Sequence, residues 1–152
     1  MRIPILLAAL LASASIQAQT PPMPKLLPLT TTDIPQECGC SFGVKKGETL
    51  MFWSWENDKQ HALIREEGDG LRSLRLFSEK YFPAQHEPPR PGERMTLQLS
   101  YGNWSIQSAS EVTRACSPKA KSCTGTDYRN LMVLQWAGRQ RLELKGWAHC
   151  GC

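Results

Sequence analysis

The residues best suited to chemistry in this chain are its six cysteines, and they fall into three pairs. Cys38-Gly39-Cys40 and Cys150-Gly151-Cys152 repeat one motif near the two ends. Cys116 and Cys123 bracket a polar, proline-broken stretch, Ser117-Pro118-Lys119-Ala120-Lys121-Ser122. On an extended strand, residues two apart point to the same face, roughly 6.5–7 Å from each other. If the strands carrying the two motifs are neighbours, each cysteine of one can face a cysteine of the other. Three chemistries compete for such a set. The first is a pair of crosslinks between Cys38/Cys40 and Cys150/Cys152, which an oxidising compartment favours. The second is a four-thiolate site for Zn or Cu(I), with His149 beside Cys150 as a further candidate ligand. Zinc-binding pairs usually separate their cysteines by about two to four residues, so the single-residue gap counts against it. The third is thiol–disulfide exchange within one Cys-Gly-Cys, where the middle Gly eases ring closure but equally fits a bulge at a strand end.

In the chain-entropy model a bridge from Cys116 to Cys123 contributes about 2–3 kcal/mol, and one joining the ends of the domain contributes up to about 5 kcal/mol. The other reactive residue types offer less. The three histidines, His61, His86 and His149, sit in no nucleophile motif. Glu66-Glu67 precedes a turn and reads as solvated charge, and no glycine-rich phosphate cradle precedes a helix. No enzyme is expected beyond the thiol-exchange reading. Trp53 and Trp55 share a strand face and, with Arg139 and Arg141, form a candidate binding surface. The competing role for the five tryptophans is to fill the core. Asn103-Trp104-Ser105 matches a glycosylation acceptor, relevant only in a eukaryotic secretory host.

Strands must position these groups. Thr49 to Trp55, His61 to Arg65 and Leu71 to Phe77 are short strand-like runs set off by Gly47 and Gly68-Asp69-Gly70. Met95, Leu97, Leu99 and Tyr101 alternate with polar residues, the period of a strand with one buried face. Trp104 to Gln107 follows the Gly102-Asn103 turn, and Leu131 to Trp136 with Gln140 to Leu144 reads as a hairpin around Ala137-Gly138-Arg139. Leu71, Leu74, Phe77 and Tyr81 are spaced by three or four, which would also suit a helix. We read a strand to about Phe77 and irregular chain beyond, stopped by Pro83, Pro88, Pro89 and Pro91. Six or seven short strands predict an all-β fold, a small antiparallel barrel or sandwich, disulfide-stabilised, with a five-stranded OB-like barrel as the favoured version.

Met1-Arg2 followed by the apolar run Ile3 to Ala12 and then Ile16-Gln17-Ala18 reads as a signal peptide, residues 1–18. Residues 19–35, rich in Pro and Thr, read as a tether, and residues 36–152 as the β domain. The apolar run is too short to cross a bilayer, so no membrane span is expected in the mature chain. The expected location is periplasmic or secreted, where an even cysteine count implies disulfides. With 152 residues and a net charge of +4, the chain is one domain. The charge is uneven: from Tyr101 onward seven Lys/Arg stand against three acidic residues. That part suits an anionic cell-envelope component or an acidic protein, and export argues against nucleic acid.

Cys38-Gly39-Cys40 at the entry to a small β domain resembles the tissue inhibitors of metalloproteinases. In those inhibitors the first cysteine is the mature N-terminus and its free amine chelates the protease zinc. Here about twenty exported residues precede Cys38, so that mechanism does not transfer. Glu37-Cys38-Gly39-Cys40-Ser41-Phe42 together with His149-Cys150-Gly151-Cys152 resembles a group of exported bacterial proteins that carry a Cys-x-Cys motif at each end. That likeness spans Glu37 to Cys152 and implies no activity. The expectation is therefore a non-enzymatic exported module that binds a protein or cell-envelope partner, as an inhibitor, immunity or envelope-accessory protein would. Metal binding through the four motif cysteines is the rival, and thiol exchange the third reading.

Overall fold

A computed structural model describes residues 21–55, 60–82, 89–116 and 125–152. The expected signal peptide lies outside the described residues. Every regular element described is a strand: β1 Leu26–Leu27, β2 Gly39–Gly43, β3 Met51–Ser54, β4 His61–Glu66, β5 Gly70–Phe82, β6 Arg94–Tyr101, β7 Trp104–Arg114, β8 Gly125–Trp136 and β9 Gln140–Gly151. From β2 onward each strand pairs antiparallel with the next, and β9 returns to pair with β2. The result is a closed eight-stranded up-and-down barrel, with no strand edge left open along its closing ladder. Of the two expected architectures the barrel is realised, but with eight strands in meander order rather than five in OB order. Short connections explain the order: residues 67–69, 102–103 and 137–139 turn the chain directly into the adjacent position. No described helix is long and apolar enough to cross a membrane.

The helix-like spacing in β5 has a specific cause. The β5–β6 register slips between Leu76 and Ser78, which marks a bulge at Phe77. Before it, Leu74 and Leu76 face inward. After it, Glu79 and Tyr81 do so, opposite the inward-facing Leu97 and Met95. Adding one residue to a period of two gives the odd spacing, and Phe77 itself is left 67% exposed. The strand therefore continues to Phe82, beyond the expected limit at Phe77.

The expected tether is, over residues 26–27, a strand that continues the β4 edge where β3 ends, with Leu27 opposite Arg65. Leu29 donates its amide to the Thr49 carbonyl at 2.7 Å, and Asp33 forms an ion pair with Arg65. The chain then reaches Cys38, whose carbonyl accepts from Trp55 N at 3.3 Å. Along this path both Leu29 and the outward-facing Phe52 are buried. Apolar side chains drive the docking, which a solvated tether would lack.

Eight strands leave an interior just wide enough for side chains, or for one small ligand. Phe42, Ile64, Leu74, Leu97, Leu99, Ile106, Met132 and Leu134 fill the middle. The end bearing the tight turns is plugged by Trp104, whose indole N–H donates to the buried Glu66 at 2.9 Å and which packs edge-on against Trp136. Toward the other end the lining turns polar. Ser108 and Ser110 donate to Asn130 Oδ1 at 2.8 and 3.0 Å.

Candidate functional site

The end opposite the turns is built around the cysteines. Gly39 lies opposite Gly151 and Cys40 opposite Cys150, so each cysteine of one motif meets one of the other across the closing ladder. The disulfides are Cys38–Cys152 and Cys40–Cys150. They overturn the four-thiolate site for Zn or Cu(I), because all four sulfurs are engaged in covalent bonds to one another. They equally overturn exchange within a single Cys-Gly-Cys, since neither motif is bridged internally. Crosslinks of this kind fit an oxidising compartment.

The middle glycine has a packing reason. A Cβ at Gly39 would run into the Phe52 ring and the Trp53 carbonyl, so the residue between the cysteines must lack one. Cys116 is disulfide-bonded, with its Sγ 3.1 Å from the Gly125 carbonyl oxygen, while its expected partner Cys123 lies outside the described residues.

His149 takes no part in a ligand set. Its Nδ1 lies 2.7 Å from Asp127 Oδ1, and Arg114 Nε donates to the other oxygen of that carboxylate at 2.6 Å. The Arg114 hydrogen bond, ahead of that from His149, holds the Asp127 carboxyl below its ordinary range. The trio ties β7, β8 and β9 together on the outer wall beside the crosslinks.

Inside the rim is a cup of about 370 Å³. The Cys40–Cys150 bridge, Trp53, Trp55, Tyr81, Tyr128, Pro89 and Met95 line it, with Glu79 and Thr126 as polar groups. Trp53 and Trp55 meet edge to face, their ring centroids 6.3 Å apart. Tyr81 donates its hydroxyl to a Glu79 carboxylate oxygen. Burial, then the hydrogen bond and charge of Glu79, pushes the Tyr81 phenol far above its ordinary value. Burial also raises Tyr128, with the charge of Glu93 adding to it. Both phenols therefore keep their protons across the biological pH range. β3, β5 and β7 end on this side of the barrel, at Ser54, Phe82 and Arg114, and β8 begins there at Gly125.

Trp53 and Trp55 thus come together as expected, with Trp53 also serving the core. Arg139 and Arg141 do not join them. Arg139 sits in the turn before β9 at the opposite end, and Arg141 pairs with Glu143 on the outer wall at 2.7 Å. Glu79, Tyr81 and Tyr128 were absent from the sequence-based candidates. The signal for the first two was the broken alternation after Leu76, which only a bulge converts into inward-facing side chains.

Two of the basic residues of the C-terminal part, Arg129 and Lys145, lie elsewhere, on the outer wall of β6–β9. A groove of about 650 Å³ there is floored by Ala109 and Leu131 and flanked by Arg94, Glu111, Arg129 and Lys145. Arg94 and Arg129 both pair with Glu111, at 3.6 and 3.0 Å, so one carboxylate serves two guanidinium groups. No family model, curated protein or solved structure matches the chain.

Proposed function

We propose that this is a non-enzymatic binding module, working in the periplasm or outside the cell, that holds part of a protein or cell-envelope partner at the cysteine-crosslinked mouth of the barrel. The observation that carries this reading is the aromatic cup above a filled core. Rigid Trp and Tyr rings converge on an accessible cavity, and two crosslinks hold the rim in shape. Such pre-organisation lowers the ordering cost of binding. Aromatic residues are also the side chains that most often anchor partners. Immobilised oxidised protein, incubated with envelope extract, tests it. Capture of a discrete partner should be lost with Trp55→Ala and kept with the Arg139→Glu/Arg141→Glu variant at the far end. Capture that is indifferent to Trp55 would remove the mouth from the function.

A second reading, contact with an anionic envelope component, is favoured by the outer-wall groove with its unequal ratio of Arg94, Arg129 and Lys145 to Glu111. Its signature is different: binding that weakens with added salt and is abolished by Arg94→Glu/Arg129→Glu while Trp55→Ala leaves it unchanged.

A further inference from the structure

We infer that the cup takes an organic cation, an alkylammonium group such as a trimethylammonium head or a lysine side chain, with Glu79 and Tyr81 setting the preference. The inference rests on the mouth being the binding site and adds the chemistry of what enters it. Four aromatic side chains, Trp53, Trp55, Tyr81 and Tyr128, line one small cavity. Ring faces carry negative potential, and a cation desolvated among them is attracted to each. Glu79 stands at the lip, brought inward by the bulge at Phe77. Its carboxylate accepts from Tyr81 Oη and retains lone pairs for a second donor. Glu93, next to Tyr128 in the adjoining cleft, adds negative charge that the Tyr128 phenol registers.

Among the described residues no Lys or Arg lines the cup, and the nearby Arg94 is directed to Glu111 on the outer wall. A wall of four rings with the Glu79 carboxylate at its lip is complementary to a cation and disfavours an anion. The volume of about 370 Å³ is at the small end of ligand cavities, matching one headgroup or one side chain rather than a polymer chain. The bulge is the strongest structural argument. A regular β5 would turn Ser78 and Lys80 inward in place of Glu79 and Tyr81, putting a hydroxyl where the carboxylate now stands and an ammonium where the phenol does.

The test uses the full oxidised domain and two probes, choline and N-acetyl-lysine methylamide, followed by tryptophan fluorescence and calorimetry. Saturable binding of at least one is expected, and the probe that binds better identifies the source of the cation, free headgroup or polypeptide side chain. The neutral carbon isostere 3,3-dimethyl-1-butanol should bind about tenfold or more weakly than choline. Glu79→Gln should weaken the cation by a similar factor while leaving the isostere unchanged. Trp55→Ala should weaken both, and an unchanged near-ultraviolet circular dichroism spectrum would certify each fold. Equal binding of choline and its isostere, or no saturation by either cation up to tens of millimolar, overturns the inference. If partner capture then still depends on Trp55, the mouth remains the site and only its cation preference fails. If capture is indifferent to Trp55, the broader reading fails with it.

Discussion

Glu66 is a carboxylate placed inside an apolar barrel, 3% exposed, and both of its oxygens are engaged. Trp104 Nε1 donates to one at 2.9 Å and Arg72 Nε to the other at 3.4 Å. Trp104→Phe keeps an aromatic ring against Trp136 but removes the donor, leaving a buried carboxylate oxygen unpaired. Such a loss costs about 1–3 kcal/mol. Chemical denaturation should show it, and the double variant Trp104→Phe/Glu66→Gln should recover part of the loss. A double variant no more stable than Trp104→Phe would show that packing alone had been lost. Asp33 is the corresponding outer-wall case. The Thr30 amide, then Arg65 and the Thr30 hydroxyl, hold its carboxyl at about 2 against an ordinary 3.8. A depressed folded value means that the stabilisation is fully present above 3.8 and is lost as the pH falls through about 2. The Thr30 amide resonance should follow that titration, and Asp33→Asn should abolish it. A midpoint near the ordinary value would mean that neither the Thr30 hydrogen bonds nor the ion pair with Arg65 holds the carboxylate.

At the scale of elements, alternation was the legible feature. The pattern Met95, Leu97, Leu99, Tyr101 became β6 with the first three buried, because a uniform period of two has one solution on a barrel wall, while Tyr101 at the strand's end is exposed. The matched spacing of the paired cysteine motifs also suits adjacent strands, and β2 and β9 are neighbours. β5 was legible only to Leu76, because a bulge adds a residue that no local propensity announces. The Pro/Thr-rich segment misled for another reason. Two leucines suffice to extend the β4 edge, and composition averages them away. The bulge yields a prediction at this scale. Deleting Phe77 removes the extra residue, so Leu76 and Ser78 follow one another opposite Leu99 and Gln98, β5 becomes regular and Tyr81 stays opposite Met95. Ultraviolet titration should then leave the Tyr81 phenol as resistant to ionisation as in the wild type. An additional phenol ionising at lower pH would show that the strand beyond the deletion had slipped by one residue and turned Tyr81 outward.

For the whole molecule, the decisive fact is that the barrel closes through its own chain ends. β8 and β9 pair over twelve residues, whereas the closing ladder of β2 against β9 spans only the five residues Gly39–Gly43. A short ladder thus has the greatest sequence separation to overcome, 110 to 114 residues, and both interstrand disulfides are placed there. Their contributions are unequal in a predictable way. The first bridge to form closes a loop of over a hundred residues, worth about 5 kcal/mol in the chain-entropy model. The second closes only the short ring Cys38–Gly39–Cys40–Cys150–Gly151–Cys152, worth about 2 kcal/mol. Either bridge can serve as the first, so removing one should cost about 2 kcal/mol and removing both about 7 kcal/mol. Cys38→Ser/Cys152→Ser isolates the crosslink term, because Cys152 is exposed, whereas replacing Cys40 and Cys150 adds the loss of buried packing. Guanidinium denaturation of the outer-pair, inner-pair and four-cysteine variants measures all three. A four-cysteine variant whose loss equals the sum of the two separate losses would mean that the reduced chain already holds its ends together, and the seam would owe its closure to the β2–β9 ladder alone.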